Sequence, residues 1–581
     1  RSNLKVTQDL SMFVEGLRAS GMFAFDVNAQ NSLNRGRTLQ TYFQVGRDDE
    51  GNLLTEISSE GTTDLGYSLG RYGDRRFYSE ASLNYNRLFP GEHEVSGLFL
   101  VNQSDYSDAT SRVNNYTKAI PYRQRNFVGR GTYGYLGRYL AEANFSYSGS
   151  DNFAPANRFG FFPSIGVGWI ASNEPFFSNL KETISHLKFR YSYGVSGNAA
   201  VNDPNNRFLY LNRFTKEGSG YVIGAPGTTR TLTGYIEEQI GANVRWESSY
   251  RHNLGIEVNF FNNELSLITE LFQEERTGIL MQDFTVPYAS GFTTDNLPFL
   301  NIGETSNKGI DVTLEYNKKF RNNSFIMARG TFNHNTNLAV ADNLPVWRHP
   351  WLDRDGHRIS QRFGYIAEGL FKSDEEIATS PVQAGDVRVG DIKYKDLNGD
   401  GVIDASDNYA IGYGDVPLIV YGLTLAGGYK GFDVSMFFQG AGMVDLNMSS
   451  GYGITPFPSG NTYGNLYETI LDRWDPNDPD KKTLYPRMST SNHATTNYLT
   501  SSWWVKRTDY LRLKQAEIGY NFTDNAFLKR LAIQKFRIFA NGTNLFTISD
   551  WTLWDPEIGN GRGIIYPNTR VFNMGLRINF Q

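Results

Sequence analysis

The chain has 581 residues, with 40 Phe, 34 Tyr, 9 Trp, 58 Gly, no Cys and a formal net charge of −5. The lack of cysteine excludes disulfides, cysteine zinc sites and thiol nucleophiles, and no run of ~18 apolar residues exists to form a helical membrane span. A mildly acidic chain without a long Lys/Arg cluster is a poor nucleic-acid binder, and its aromatic content argues against disorder.

Alternation of apolar and polar residues then predicts strands in chain order. They fall near 3–12, 18–30, 76–87, 93–103, 122–135, 138–149, 160–171 and 186–196. Further strands fall near 250–261, 264–275, 308–318, 324–335, 417–428, 432–442, 506–521, 533–541 and 570–580. The last is the cleanest: Phe572, Met574, Leu576, Ile578 and Phe580 share one face, with Asn573, Gly575, Arg577 and Asn579 opposite, as a period of two requires. Tight turns at Asn262-Asn263 and Arg321–Ser324 close hairpins by the usual turn chemistry.

Connections alternate between short (88–92, 136–137, 262–263, 319–323, 429–431, with 172–185 and 522–532 somewhat longer) and long (31–75, 197–249, 276–307, 336–416, 443–505). A soluble all-β protein has no reason to keep that order. A transmembrane barrel has, with short periplasmic turns and long outer loops. Counting back from a periplasmic C-terminus, every long connection falls outside. The expected fold is therefore all-β, a transmembrane antiparallel β-barrel in the bacterial outer membrane. The count of about 17 strands is odd, whereas single-chain bacterial barrels are even. The chain also opens at Arg1-Ser2-Asn3-Leu4, inside a strand-like stretch without an apolar leader core. Both suggest a missing N-terminal part.

The sharpest chemical motif lies in the longest connection. Asp396, Asn398, Asp400, Gly401, Val402, Asp404 and Asp407 follow the twelve-residue calcium-loop pattern. Oxygens at alternate positions can converge on one hard cation, and the glycine allows the bend. Asp396, Asn398 and Asp400 would give side-chain oxygens, Val402 its carbonyl, Asp404 a direct or water-mediated ligand, and Asp407 the closing carboxylate. With Asp in place of the final Glu and no flanking helix pair, the expectation is a structural calcium site; the alternative is a metal-free Asp/Asn/Gly turn. His349, between Trp347 and Trp351, has no second ligand at metal spacing and reads as a loop-packing residue. Trp503, Trp504, Trp551 and Trp554 read either as an interfacial girdle or loop packing, or as a stacking platform for solute. No catalytic triad or carboxylate pair stands out, so no enzyme is expected.

Several blocks, in order, resemble the SusC/RagA family: Arg158–Trp169 with Asn173-Glu174-Pro175-Phe176; Leu187–Asn198; Arg245-Trp246-Glu247; Asn301–Glu304 with Asn307-Lys308-Gly309; Gly390–Tyr394; Gly440-Ala441-Gly442; and Trp503–Lys506 with Tyr510–Leu513. The resemblance runs from about residue 76 to the end. It implies a TonB-dependent outer-membrane importer with a plugged barrel of about 22 strands, of which 1–581 would be the C-terminal barrel part and 336–416 a long extracellular loop carrying the calcium-type site. The implied partners are a SusD-like lipoprotein lid, TonB acting through the missing N-terminal part, outer-membrane lipid, and an oligosaccharide or peptide as solute. Family members resemble dimers of importer–lid pairs. The alternatives are a siderophore or vitamin receptor, or a non-transporting adhesin or docking barrel; an outer-membrane protease or lipase barrel would need a recognisable triad or dyad.

Overall fold

The computed structural model describes every residue except 1, 109–119, 200–206, 226–229, 288, 290–296, 323, 343, 345–346, 450–467, 489–495, 523–527, 529–531, 560–565 and 581. Most of the turn read at 522–532 therefore lies outside the described residues. Among the described residues seventeen strands are joined in one antiparallel sheet, as the alternation predicts. The chain divides into two compact units: Arg1–Tyr133 with Glu142–Pro163 and Gly197–Trp246, and Gly134–Ala141 with Ser164–Ser196 and Glu247–Gln581.

In the first unit Ser2–Asp9, Leu17–Gly36, Gly66–Phe89 and His93–Asp108 pair with one another in chain order. The stretch 31–75, read as a loop, is mostly strand: pairing continues to Gly36↔Gly66, and a small hairpin, Thr41–Arg47 with Leu53–Ser59, follows between them. The sequence hid this because Asn28, Gln30, Asn31, Ser32, Asn34 and Arg35 put polar groups on both faces. Backbone pairing needs no alternation where both faces are wet.

In the second unit Glu247–Phe260, Leu265–Gln282, Phe299–Lys319, Phe325–Ala341, Ile419–Tyr429, Phe432–Gly442, Tyr510–Phe522, Ile533–Ile548 and Val571–Phe580 each pair antiparallel with the next. Here too 276–307 is shorter as a loop than expected, since its flanking strands pair out to Gln282↔Phe299. The short turns hold left-handed residues, Asn262 and Asn263 at φ 54° and 68°, and Lys430 and Gly431 at 48° and 90°. Such turns match the twist of the strands they join.

The sheet's two faces are inverted relative to a water-soluble protein. Phe572, Met574 and Leu576 are 72%, 87% and 64% exposed. On the opposite face of neighbouring strands Arg537 is largely buried; its Nη2 lies 2.8 Å from Glu517 and its guanidinium also meets Asp433, which accepts Asn521 Nδ2 at 2.7 Å. Arg190 likewise meets Glu257 at 3.0 Å and Glu270 beside it. A face of contiguous exposed apolar side chains calls for a non-aqueous neighbour. At the short-turn end of this face Phe432, Tyr520, Phe522 and Phe536 form a chain of ring contacts, 4.6, 4.7 and 5.2 Å between centroids, as in the aromatic girdle of an outer-membrane barrel.

Candidate functional site

The long connections of the second unit do not hang free; they build a core of their own. Ile392, Tyr394, Ile403, Leu446, Met448, Tyr485, Trp504 and Trp551 are buried together. Trp504 is fully buried and donates its indole N–H to the Asn497 carbonyl at 2.7 Å. Trp551 packs edge-on against Trp554 at 4.5 Å. Of the readings open for these tryptophans, loop packing is what the structure has. His349 also packs within the loop, stacked on Trp351 at 4.6 Å.

The block 390–394 explains itself residue by residue. Gly390 has φ 89°, and a Cβ there would come within 2.5 Å of the Trp474 ring. Asp391 is fully buried; Arg487 donates to its two oxygens at 3.0 Å each, Asn497 Nδ2 at 2.8 Å and the Arg388 amide at 2.8 Å. Ile392 and Tyr394 enter the core, and the Tyr394 hydroxyl donates to the Thr496 carbonyl at 2.7 Å. Burial holds that phenol well above its ordinary pKa. Lys393 points outward to Glu376 at 3.0 Å. A second buried carboxylate, Asp445, meets Arg362 and accepts the Tyr413 and Gly414 amides; burial pushes its pKa up against the opposing pull of those partners. Arg512, on the wall strand, is buried and ties down 555–557 through Asp555 and Glu557, the latter at 2.7 Å. Arg487, Asn497, Arg362 and Asp445 were not singled out from the sequence. Their partners lie scores of residues away, so no local spacing announces them.

The calcium-type loop is built onto this core. Ile403 is buried in it, and the loop backbone pairs with Val382 through Val382 N to Gly401 O at 2.8 Å and Ile403 N to Val382 O at 2.9 Å. The Trp351 indole reaches the Ser406 carbonyl at 2.8 Å. Gly401 turns the chain at φ 83°, as the motif requires. Asp396 accepts the Gly399 and Gly401 amides at 2.7 and 2.9 Å, and Asp400 accepts the Val402 amide at 2.9 Å. Asn398 Oδ1 accepts the Asp400 amide at 2.9 Å. Asp404 and Asp407 form a capping box, and hydrogen bonds from Ser406 hold Asp404 below the usual carboxylate range. Asp407 is fully buried and spends one oxygen on the Leu397 amide (2.8 Å) and the other on Asp404 N (2.9 Å). The all-oxygen donor set suits a hard cation by chemistry. Its arrangement is that of a loop braced by its own amides, and among the described residues no three Asp, Glu or His side chains stand together as a metal cage.

No family model matches the chain. It is 27% identical to a protein of Formosa agariphila named TonB-dependent receptor P3, over 91% of this chain and 52% of that protein. It is 25% identical to TonB-dependent receptor SusC of Bacteroides thetaiotaomicron, over 79% of this chain and 44% of that one. Among solved structures it superposes on the RagAB peptide transporter with a TM-score of 0.70 at 18% identity, over 97% of this chain and 60% of that chain. The chain spans about half the length of the curated relatives it matches. In fold the chain is an antiparallel β-barrel that superposes on that transporter, and in sequence it is similar to proteins named TonB-dependent receptors. Its similarity to SusC and to the RagAB structure bears out the resemblance drawn from its sequence blocks.

Proposed function

We propose that the chain is the barrel part of an outer-membrane importer of oligomeric nutrients, oligosaccharides or peptides, which works with a SusD-like surface lipoprotein and draws its energy through TonB. The observation that carries this is the inverted sheet, apolar outside and ion-paired inside. A wall of that kind separates hydrocarbon from a wet lumen, and in barrels of this size the lumen is too wide for side chains to fill. The receptors it resembles support the coupling and the partner. In this reading the C-terminus lies at the periplasmic end and the loop core outside, where solute and lid arrive. The test is to purify the native protein from outer membranes and to measure solute uptake in a strain lacking it. Co-purification of a lipoprotein, with loss of growth on one oligosaccharide or peptide class, supports the reading. A protein found alone, whose deletion leaves uptake of every oligomer unchanged, favours the adhesin alternative.

The calcium site is proposed alongside it. Asp396, Asn398, Asp400, the Val402 carbonyl, Asp404 and Asp407 would hold the ion, which would fix the loop in its bent form. Titration of the native protein with calcium should raise the melting temperature of the loop core, and D396N/D400N should remove that rise. A melting temperature blind to calcium and to chelator would leave only the amide-braced turn.

A further inference from the structure

The outward face of the first unit carries its own charge pattern. Along the strand Tyr122–Tyr135, the residues sharing that face run Tyr133, Gly131, Gly129, Phe127, Arg125, Arg123. The face is fixed by its neighbours: Phe145 lies against Gly129, Tyr147 packs with Phe127 at 6.3 Å, and Phe145, Tyr147 and Tyr133 are all exposed. On the adjoining strands the same face carries exposed Phe99, Leu83, Phe77 and Phe23, with Leu83 opposite Phe99, and Phe25 opposite Phe77 in ring contact at 4.7 Å. One register step beyond that aromatic pair, Arg75 stands opposite Val27 on one side and Ser107 on the other. Arg123 reaches Asp105 at 2.9 Å, and Arg125 donates to Gln103 Oε1 at 3.0 and 2.6 Å.

The three arginines break the run of exposed apolar side chains on this face, which is resumed past Arg75 only in part, by Val27 opposite it and by Leu33 opposite Leu69. Tyr133 lies near the short-turn end and Arg123 ten residues along. That is about 33 Å of strand and, at a tilt of ~40°, about 25 Å of depth, the height of the apolar band of such a barrel. All three are exposed, Arg123 by 58% of its side chain. Asp105 is the one carboxylate paired with them among the described residues; Asp151, whose field also reaches Arg123, is engaged by the buried Arg207. Asp105 and Gln103 hold two guanidiniums at fixed angles without covering them. Arg75 has no ion pair or hydrogen bond among the described residues.

We propose that Arg75, Arg123 and Arg125 form a binding site for the phosphate of an outer-leaflet lipid headgroup, with the lipid's acyl chains lying on Phe23, Phe25, Phe77, Leu83 and Phe99. The guanidinium fork matches phosphate oxygens, and an excess of two positive charges at headgroup depth, over aromatic rings, complements a phosphorylated lipid. The inference rests on the outer-membrane reading. Its test therefore starts from protein recovered from the outer-membrane fraction, so that mislocalisation is seen separately.

The native full-length protein in mild detergent is titrated with bis-phosphorylated lipid A, with dephosphorylated lipid A and with inorganic phosphate. Folding is checked by heat-dependent migration on a denaturing gel. The phosphorylated lipid should bind at least tenfold more tightly than the dephosphorylated one. Inorganic phosphate at millimolar level should not displace it. The triple variant R75Q/R123Q/R125Q should lose that tenfold preference, and R75Q alone, which removes no described contact, should lose part of it. Equal binding of both lipids, full displacement by inorganic phosphate, or wild-type preference in a folded triple variant would each overturn the proposal.

Discussion

Asp391 shows how a single side chain can organise a loop core. Its carboxylate is fully buried and satisfied by a guanidinium, an amide side chain and a backbone N–H. Removing one partner of such a pair leaves a buried charge, at about 3–5 kcal/mol. Arg487→Ala should therefore destabilise the loop core by about that amount, read as loss of the protected Trp504 fluorescence and early proteolysis between 380 and 500, while the barrel itself stays folded. Asp391→Asn with Arg487→Met should recover part of the loss, since the two residues are coupled. A single variant as stable as the parent would mean that water reaches this pair in solution. Acid acts on the same region through other groups. Glu376 accepts the Lys372 amide and pairs with Lys393, which holds it below the ordinary carboxylate range; Ser406 does the same for Asp404. A carboxylate depressed in the folded state contributes stability above its unfolded pKa, and that contribution fades as pH falls through the folded value. The loop core should thus be insensitive to these groups from about pH 5 to 8 and loosen below about pH 4. Glu376→Gln should flatten part of that acid limb in a fluorescence titration; an unchanged limb would assign it to other carboxylates.

Among the elements, the short turns decide register. Gly431 sits at φ 90°, and a Cβ there would approach the Asn521 carbonyl to 2.8 Å. Gly431→Ala should cost about 1–3 kcal/mol, measured as a lower urea midpoint for barrel folding into vesicles, whereas the same change at Gly330, which has open space around it, should cost less than half as much. Equal effects would show that strand propensity, not turn geometry, sets the cost. The hairpins of the membrane-facing sheet were legible in sequence because one face must be apolar and the other polar, as in Leu254 to Phe260 and Ile310 to Tyr316. Legibility failed where that asymmetry ends. The pairing Asn28↔Asp74 to Gly36↔Gly66 continues the same hairpin through residues mostly polar on both faces, with Leu33 opposite Leu69 as an isolated apolar pair, so periodicity carried little sign of it. The calcium-type loop was legible as a turn, because glycine and Asx residues carry local information; Gly399 and Gly401 are both left-handed. Its bracing by Trp351 and Val382 was not, because those contacts depend on where the chain returns.

For the whole molecule the decisive property is what surrounds the sheet. Leu576 is 64% exposed in the middle of the last strand and faces the same way as Phe572 and Met574. If that face met water, Leu576→Arg would be a surface change worth no more than about 0.5 kcal/mol. If it meets hydrocarbon near the bilayer midplane, the same change costs about 2–4 kcal/mol, and much less near the interfaces. Asn573, on the opposite face, hydrogen-bonds Asn541 across the strands at 3.0 Å. There Asn573→Arg enters a polar wall that already holds Arg537 and Arg577, and it should cost under about 1 kcal/mol. The pair of variants is compared in the full-length protein by reversible folding into phospholipid vesicles. A large penalty confined to Leu576→Arg identifies lipid on that face. Equal small penalties at both positions would mean that the exposed apolar strip is covered by protein or meets water, and the importer reading would lose its physical basis. Because both substitutions add the same side chain and the same charge to the same strand, three residues apart, net charge cancels in the comparison, and the difference in strand propensity between the replaced Leu and Asn is within about 1 kcal/mol. What remains is the medium on each side of the wall.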